Sequence, residues 1–289
     1  MPFILLALLS AIFMGTIGVL ARYAALPAEH ITFYRLLLGA CCLASYMAVT
    51  GKAQQIRHRP SKRTLLNGVM LAGFMTFYVE AIQYINMANA VMLIYLAPPL
   101  TAVIAHCFLG EKLAKASGLT IVMALAGFAL MLPQSASDGG NVNATRGYLY
   151  ALLALLSYSG FMLINRKPSQ STPYQSTLVQ LSVGALCMLP LVIQHPLQPS
   201  LTQACWLVAI GVLPGFIAIL FAVKALRHLP AATFGTLAYV EPVAVVVFAW
   251  WLFAETLNGM QLFGCSLIIL AGMLQGYLGH RQAAQKCPV

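Results

Sequence analysis

Charge is scarce in this sequence. Only 8% of its 289 residues are Asp, Glu, Lys or Arg, and 6 acidic residues stand against 16 basic ones. Soluble domains carry about a quarter charged residues, so this shortage, with 61% hydrophobic residues and a mean hydropathy of +0.85, excludes a water-soluble fold. Long polar stretches are missing too, the longest being Gly51 to Arg63 and Gln134 to Arg146, which leaves no room for a soluble domain. Strict apolar/polar alternation is also lacking, so spanning strands of about ten residues are excluded and helices remain. The net charge of +10 does not indicate a nucleic-acid partner, because the basic residues lie between apolar runs instead of gathering on one exposed surface. No Gly-rich Lys-Ser/Thr loop, His-Glu-x-x-His, Gly-x-Ser-x-Gly or Asp dyad occurs. ATP hydrolysis and intramembrane enzyme chemistry are therefore not expected. Seven cysteines, at 41, 42, 107, 187, 205, 265 and 287, have no metal or redox spacing and read as small core residues; no metal or cofactor is expected.

What is present is a series of ten apolar runs, near residues 3–21, 31–50, 64–84, 90–109, 116–132, 147–165, 175–194, 203–226, 232–253 and 259–279. They predict an all-α integral membrane protein with ten transmembrane helices. The first run is read as a span and not a signal peptide, since only Met1 and Pro2 precede it and no basic n-region is present. With the N-terminus in the cytoplasm, Lys52, Arg57, Arg59, Lys62, Arg63, Lys112, Lys115, Arg166, Lys167, Arg227, Arg281 and Lys286 fall inside, and only Arg22 and Arg146 outside. That asymmetry predicts a multi-pass protein of the inner or plasma membrane with both termini cytoplasmic.

A shift of 144 residues lays Phe77 to Leu113 without a gap on Phe221 to Leu257, with 11 of 37 positions identical, among them Tyr95/Tyr239, Pro98/Pro242 and Glu111/Glu255. Five spans per copy is an odd number, so the second copy enters the membrane in the opposite orientation. Two inverted five-helix repeats can exchange conformations, opening a central site first to one side and then to the other. This symmetry predicts transport.

At Phe33-Tyr34-Arg35, at Tyr95-Leu96-Ala97-Pro98 through Glu111-Lys112-Leu113, and at Tyr239-Val240-Glu241-Pro242 through Glu255-Thr256-Leu257, the chain resembles the drug/metabolite transporter superfamily and its EamA-like families. It departs from the family habit of a tryptophan before the first-span glycine, having Phe13-Met14-Gly15. The resemblance implies two EamA-like repeats, residues 1–133 and 147–280, joined by an external linker at 134–146 and followed by a cytoplasmic tail at 281–289. It also implies a central cavity lined by the first four helices of each half, with the fifth and tenth outside. Members move amino acids, nucleotide derivatives, amines, drugs and other metabolites, often outward.

A charge at the bilayer centre costs at least about 2.5 to 3.5 kcal/mol, so each ionisable residue within a run is a candidate. Glu241, ten residues into the ninth run and followed by Pro242, is read either as a proton carrier or donor-binding group or as a protonated structural carboxyl. Glu80 and Lys224 are equivalent under the shift; inversion sends Glu80 toward the external mouth and Lys224 toward the cytoplasmic one, where snorkelling is the plainer alternative. Arg35 and His106 are candidates for binding an anionic group, and His106 for proton relay as well, against helix packing for both and a lipid headgroup for Arg35. Tyr78, Tyr95, Tyr158 and Tyr239 are candidates for the cavity wall or for the core. Pro98, Pro99 and Pro242 should kink their helices and free carbonyls. Gly272-x-x-x-Gly276 offers a close-packing face, expected within the chain before any dimer.

The expected function is a secondary transporter that exports a small, amino-acid-like metabolite by alternating access, with protons as the candidate coupling ion. The alternatives are an exporter of cationic amines or drugs, or a channel or receptor. The small-molecule substrate and the lipid bilayer are the expected partners, and the expected state is a monomer or weak dimer.

Overall fold

The computed structural model describes residues 2–57, 60–85, 87–110, 115–131, 144–166, 171–253 and 259–285. Glu111, Glu255, Cys287, and residues 134–143 of the linker lie outside the described residues. Among the described residues all regular structure is helical: α1 Pro2–Ala24, α2 Ala28–Val49, α3 Gln54–Arg57, α4 Lys62–Tyr84, α5 Met87–Ile94, α6 Ala97–Leu109, α7 Lys115–Met131, α8 Ala144–Arg166, α9 Pro173–Gln194, α10 Leu201–Ile210, a π-helical segment Gly211–Ile217, α11 Ala218–His228, α12 Ala231–Ala238, α13 Val240–Phe253 and α14 Gly259–Gln285. By length and composition, 7 of the described helices can cross a membrane, with the rods Leu201–His228 and Ala231–Phe253 each counted as one. Ala97–Leu109, Lys115–Leu130 and Leu262–Gln275 are shorter apolar helices. α14 runs on to Gln285, into the stretch read from sequence as a tail.

Local chemistry sets the ends. Thr172 caps α9, accepting the Gln175 N–H at 3.3 Å, and Pro173 follows where a missing N–H costs nothing. Ser61 caps α4 in the same way. α2 ends in a Schellman motif: Gly51 takes φ +69°, its N–H reaches the Ala48 carbonyl, and the Lys52 N–H returns to the Met47 carbonyl at 2.8 Å. That turn fixes the direction in which Lys52 leaves the helix.

Helix contacts follow the 144-residue shift. α1 lies on α11, α12 and α13, while its counterpart α8 lies on α4, α5 and α6. α2 lies on the π segment, and its counterpart α9 on α4. α2 also meets α9, and α7 meets α14. Large apolar side chains face outward, Phe108 at 82% and Trp251 at 71% exposure among them, which suits lipid and not water. Lipid is as apolar as leucine, so water exclusion does not hold such helices together; small residues and close van der Waals contact do. Gly127 is one such place: a Cβ there would stand 2.6 Å from the Gly264 carbonyl oxygen, across the α7–α14 contact. Gly272, expected to make a close approach, has nothing within 4 Å of its Cβ position.

Candidate functional site

The ninth run is broken at Tyr239, between α12 and α13, and the fourth at Tyr95-Leu96, between α5 and α6. Prolines explain both breaks. Pro98 and Pro242 occupy equivalent positions and have no N–H to return to the carbonyl one turn earlier. Pro99 has no equivalent, since Val243 stands at its place in the second repeat. The carbonyl that Pro99 leaves free is that of Tyr95, and the Tyr239 hydroxyl donates to it. Tyr95 and Tyr239 are themselves equivalent, their rings 5.7 Å apart, so the relation between the repeats passes between them. Tyr239→Phe is expected to cost about 1 to 3 kcal/mol of unfolding free energy by stranding that carbonyl. Pro99→Ala added to it restores an N–H and should recover part of the loss in a thermal melt; no recovery would mean that the phenol serves some other purpose.

In the second repeat the pattern changes. Glu241 stands where the first repeat has Ala97, and it accepts a hydrogen bond from the Tyr95 hydroxyl. Its carboxyl lies in the first turn of α13, where the unpaired N–H groups of a helix start favour negative charge. α1 comes close behind it at Gly15, where a Cβ would stand 3.1 Å from the Glu241 carbonyl oxygen and 2.8 Å from Ala244 Cβ. Tyr78 of α4 and Tyr158 of α8 are within electrostatic reach of the carboxyl, as is Arg35 of α2. Tyr158 stacks on Phe74 at 4.6 Å, and Tyr95 lies 4.4 Å from the Phe128 ring.

Arg35 is poorly satisfied for a guanidinium. One Nη2 bond goes to the Met75 sulfur at 3.3 Å, a weak acceptor, and its buried Nε has no partner among the described residues. The described residues hold no ion pair between Arg35 and Glu241, although each charge is within electrostatic reach of the other. Both side chains are half-buried, not sealed. The arrangement sets an acid against a base, with tyrosines alongside and donor capacity unspent.

This break-centred pair of repeats has a match among known families. The EamA-like transporter family matches residues 1–132 and 145–275. The chain belongs to that family. It is therefore a multi-pass membrane transporter, not an enzyme. A protein named as an uncharacterized transporter from Archaeoglobus fulgidus is 28% identical over 92% of this chain and 93% of its own length. The pseudopaline exporter CntI of Pseudomonas aeruginosa is 25% identical, over 93% of each chain. An S-adenosylmethionine uptake transporter of Rickettsia conorii is 25% identical over 91% of this chain and 88% of its own. One crystal structure superposes with a TM-score of 0.85 at 20% identity, covering 96% of this chain and 99% of that one, a likeness of fold alone.

The remaining candidates of this EamA-like chain lie apart from Glu241. Glu80 is half-buried on α4, two residues beyond Tyr78 and so turned well away from it around the helix. Lys224 of α11 bonds the Tyr174 hydroxyl at 3.0 Å, and no Glu80–Lys224 ion pair occurs among the described residues. His106 is exposed on α6. Three features went unseen in the sequence. Met75 partners Arg35, Lys52 meets Lys224 at Tyr174, and Gly211–Ile217 is π-helical. Only the last had a readable signal, Pro214-Gly215 inside an apolar run.

Proposed function

We propose that the protein is a secondary transporter for a small zwitterionic, amino-acid-like metabolite, bound between Arg35 and Glu241 and exported across the inner or plasma membrane by alternating access. The observation that carries this reading is the unclosed opposition of Arg35, in the first repeat, to Glu241, in the second. A guanidinium fork suits a carboxylate. A carboxylate among tyrosines suits an ammonium. One ligand touching both repeats would bridge the two bodies that must move against each other.

In the same reading, residues 1–133 and 147–280 are the inverted five-helix repeats, the three shorter apolar segments complete ten spans, and both termini are cytoplasmic. The basic residues between runs favour that orientation. Tyr78 and Tyr95 build the wall, Tyr239 packs in the core behind them, Pro98, Pro99 and Pro242 shape the breaks, and Glu80 and Lys224 serve opposite mouths. Protons are the coupling ion, carried by Glu241. The relatives named as an exporter and an uptake transporter differ in direction; export rests on the habit of the superfamily.

The test is a screen of amino acids in proteoliposomes, each with its matched amine and N-acetyl derivative. Arg35→Gln is expected to weaken the zwitterion about thirtyfold or more while sparing the matched amine, since stripping one partner from a buried charged contact costs about 2 to 5 kcal/mol. A second reading, a cationic amine, is favoured by the tyrosines around Glu241 alone. It takes over if Arg35→Gln leaves affinity unchanged.

A further inference from the structure

A second polar cluster lies away from the Glu241 site, where α2 ends, α9 begins and α11 nears its end. Lys52 Nζ donates to the Tyr174 hydroxyl at 3.1 Å, and Lys224 Nζ donates to the same oxygen at 3.0 Å. The two ammonium groups can be no farther apart than those two bonds laid end to end. Both also stand against the Tyr174 ring, at 4.2 and 4.4 Å from its centroid, and Lys52 lies 5.3 Å from the centroid of Tyr46. Among the described residues no carboxylate pairs with either lysine.

Counting donors shows what this cluster lacks. An ammonium has three N–H bonds and accepts none, so each lysine has two left after meeting Tyr174. Tyr174 receives two hydrogen bonds on its oxygen and still holds its own O–H proton, which neither lysine can accept. Five donors and two positive charges thus converge with no acceptor among them. Like charges this close repel, and a shared anion removes the repulsion. The geometry is also held in place. The Schellman turn aims Lys52, the Thr172 cap with Pro173 aims Tyr174, and the Lys224 carbonyl meets His228 Nδ1 at 2.9 Å.

We infer that Lys52, Lys224 and the Tyr174 hydroxyl form an oxyanion-binding site, built to take a carboxylate or phosphate group at this mouth of the protein. Lys52 follows a first-repeat helix, whereas Tyr174 and Lys224 belong to the second repeat, so a bound oxyanion ties the two halves together at this end. The hydrogen bond to Tyr174 holds the Lys52 ammonium above its ordinary range, so this charge persists at neutral pH. The site stands independently of the Arg35–Glu241 reading and would survive its failure.

Two sources can supply the oxyanion: a free solute or the headgroup of an anionic lipid. The experiment uses the full chain in nanodiscs of phosphatidylcholine alone, titrated with inorganic phosphate and with acetate at constant ionic strength, and reads thermal stability. A saturable rise in melting temperature is expected. Lys52→Gln and Lys224→Gln should each weaken the apparent affinity about tenfold, the loss of one charge-assisted hydrogen bond. Tyr174→Phe keeps the ring and removes the O–H, and a smaller loss is expected. If phosphate and acetate have no effect, but phosphatidylglycerol in the discs stabilises the wild type and not the lysine variants, the headgroup is the ligand and the site stands. No stabilisation by any of the three probes overturns it, and so does stabilisation that persists in Lys52→Gln/Lys224→Gln.

Discussion

Proteoliposomes carrying Glu241→Gln should lose transport of the zwitterionic ligand by about thirtyfold to a few thousandfold while the protein still folds. Glutamine keeps the length and shape of the side chain, and its carbonyl oxygen can still accept the Tyr95 hydroxyl. What is lost is the charge. Arg35 then faces a neutral group with its Nε already unpartnered among the described residues, and the ligand ammonium loses its anionic contact. Removing one member of a buried, hydrogen-bonded charge pair costs about 2 to 5 kcal/mol, which sets the range given above. Binding and coupling separate in one further measurement. If Glu241 only holds the ammonium, counterflow and gradient-driven uptake should fall together. If it carries the coupling proton, counterflow at saturating ligand should survive while uptake driven by a proton gradient disappears. Wild-type rates in both assays would leave Glu241 as a structural carboxyl, and the site would have to be sought elsewhere.

Much of this protein is legible in its sequence because the bilayer imposes strong rules. Apolar runs of about twenty residues fall where the helices lie, and the 144-residue shift anticipates which helices meet which. The depth of Glu241 beside Pro242 picks out a carboxyl that the structure surrounds with Arg35 and three tyrosines. Side-chain partnerships were not legible, and the reason is physical. A soluble amphipathic helix announces its inner face by its polar stripe. A helix in lipid is apolar all round, so period alone does not say that Arg35 points at Met75 or that Lys224 reaches Tyr174. The lysine cluster was hidden for another reason. Its members are 122 and 50 residues apart in the chain and meet only because a Schellman turn and a threonine cap aim them at one point. At Gly272 spacing marks a face able to approach closely, but it does not say which neighbour stands there, and nothing lies within 4 Å of its Cβ position.

Gly215→Ala is the substitution expected to damage the fold most, and with it the position of Arg35. Pro214 cannot donate to the carbonyl of Ile210, and the chain answers with π-helical bonds over Gly211–Ile217, such as the Ala218 N–H to the Leu213 carbonyl. The segment lies against α2 so closely that a Cβ on Gly215 would stand 2.4 Å from the Arg35 carbonyl oxygen. The reverse contact is equally tight, a Cβ on Gly39 falling 2.9 Å from the Gly215 carbonyl carbon. Both obstacles are backbone atoms, so no side chain can rotate away, and one helix must move. Overpacking of this kind costs about 1 to 3 kcal/mol and occasionally more; with backbone on both sides, Gly215→Ala belongs at or beyond the top of that range. Any shift of α2 changes the position of Arg35 relative to Glu241, so ligand affinity should fall along with the melting temperature. Gly118→Ala in α7 is the control, because nothing lies within 4 Å of its Cβ position. There alanine should be neutral or stabilising by about 0.5 to 1 kcal/mol, the ordinary gain over glycine in a helix. If Gly215→Ala melts and binds like Gly118→Ala, α2 and the π segment are not in close contact, and the seating of Arg35 described above is wrong.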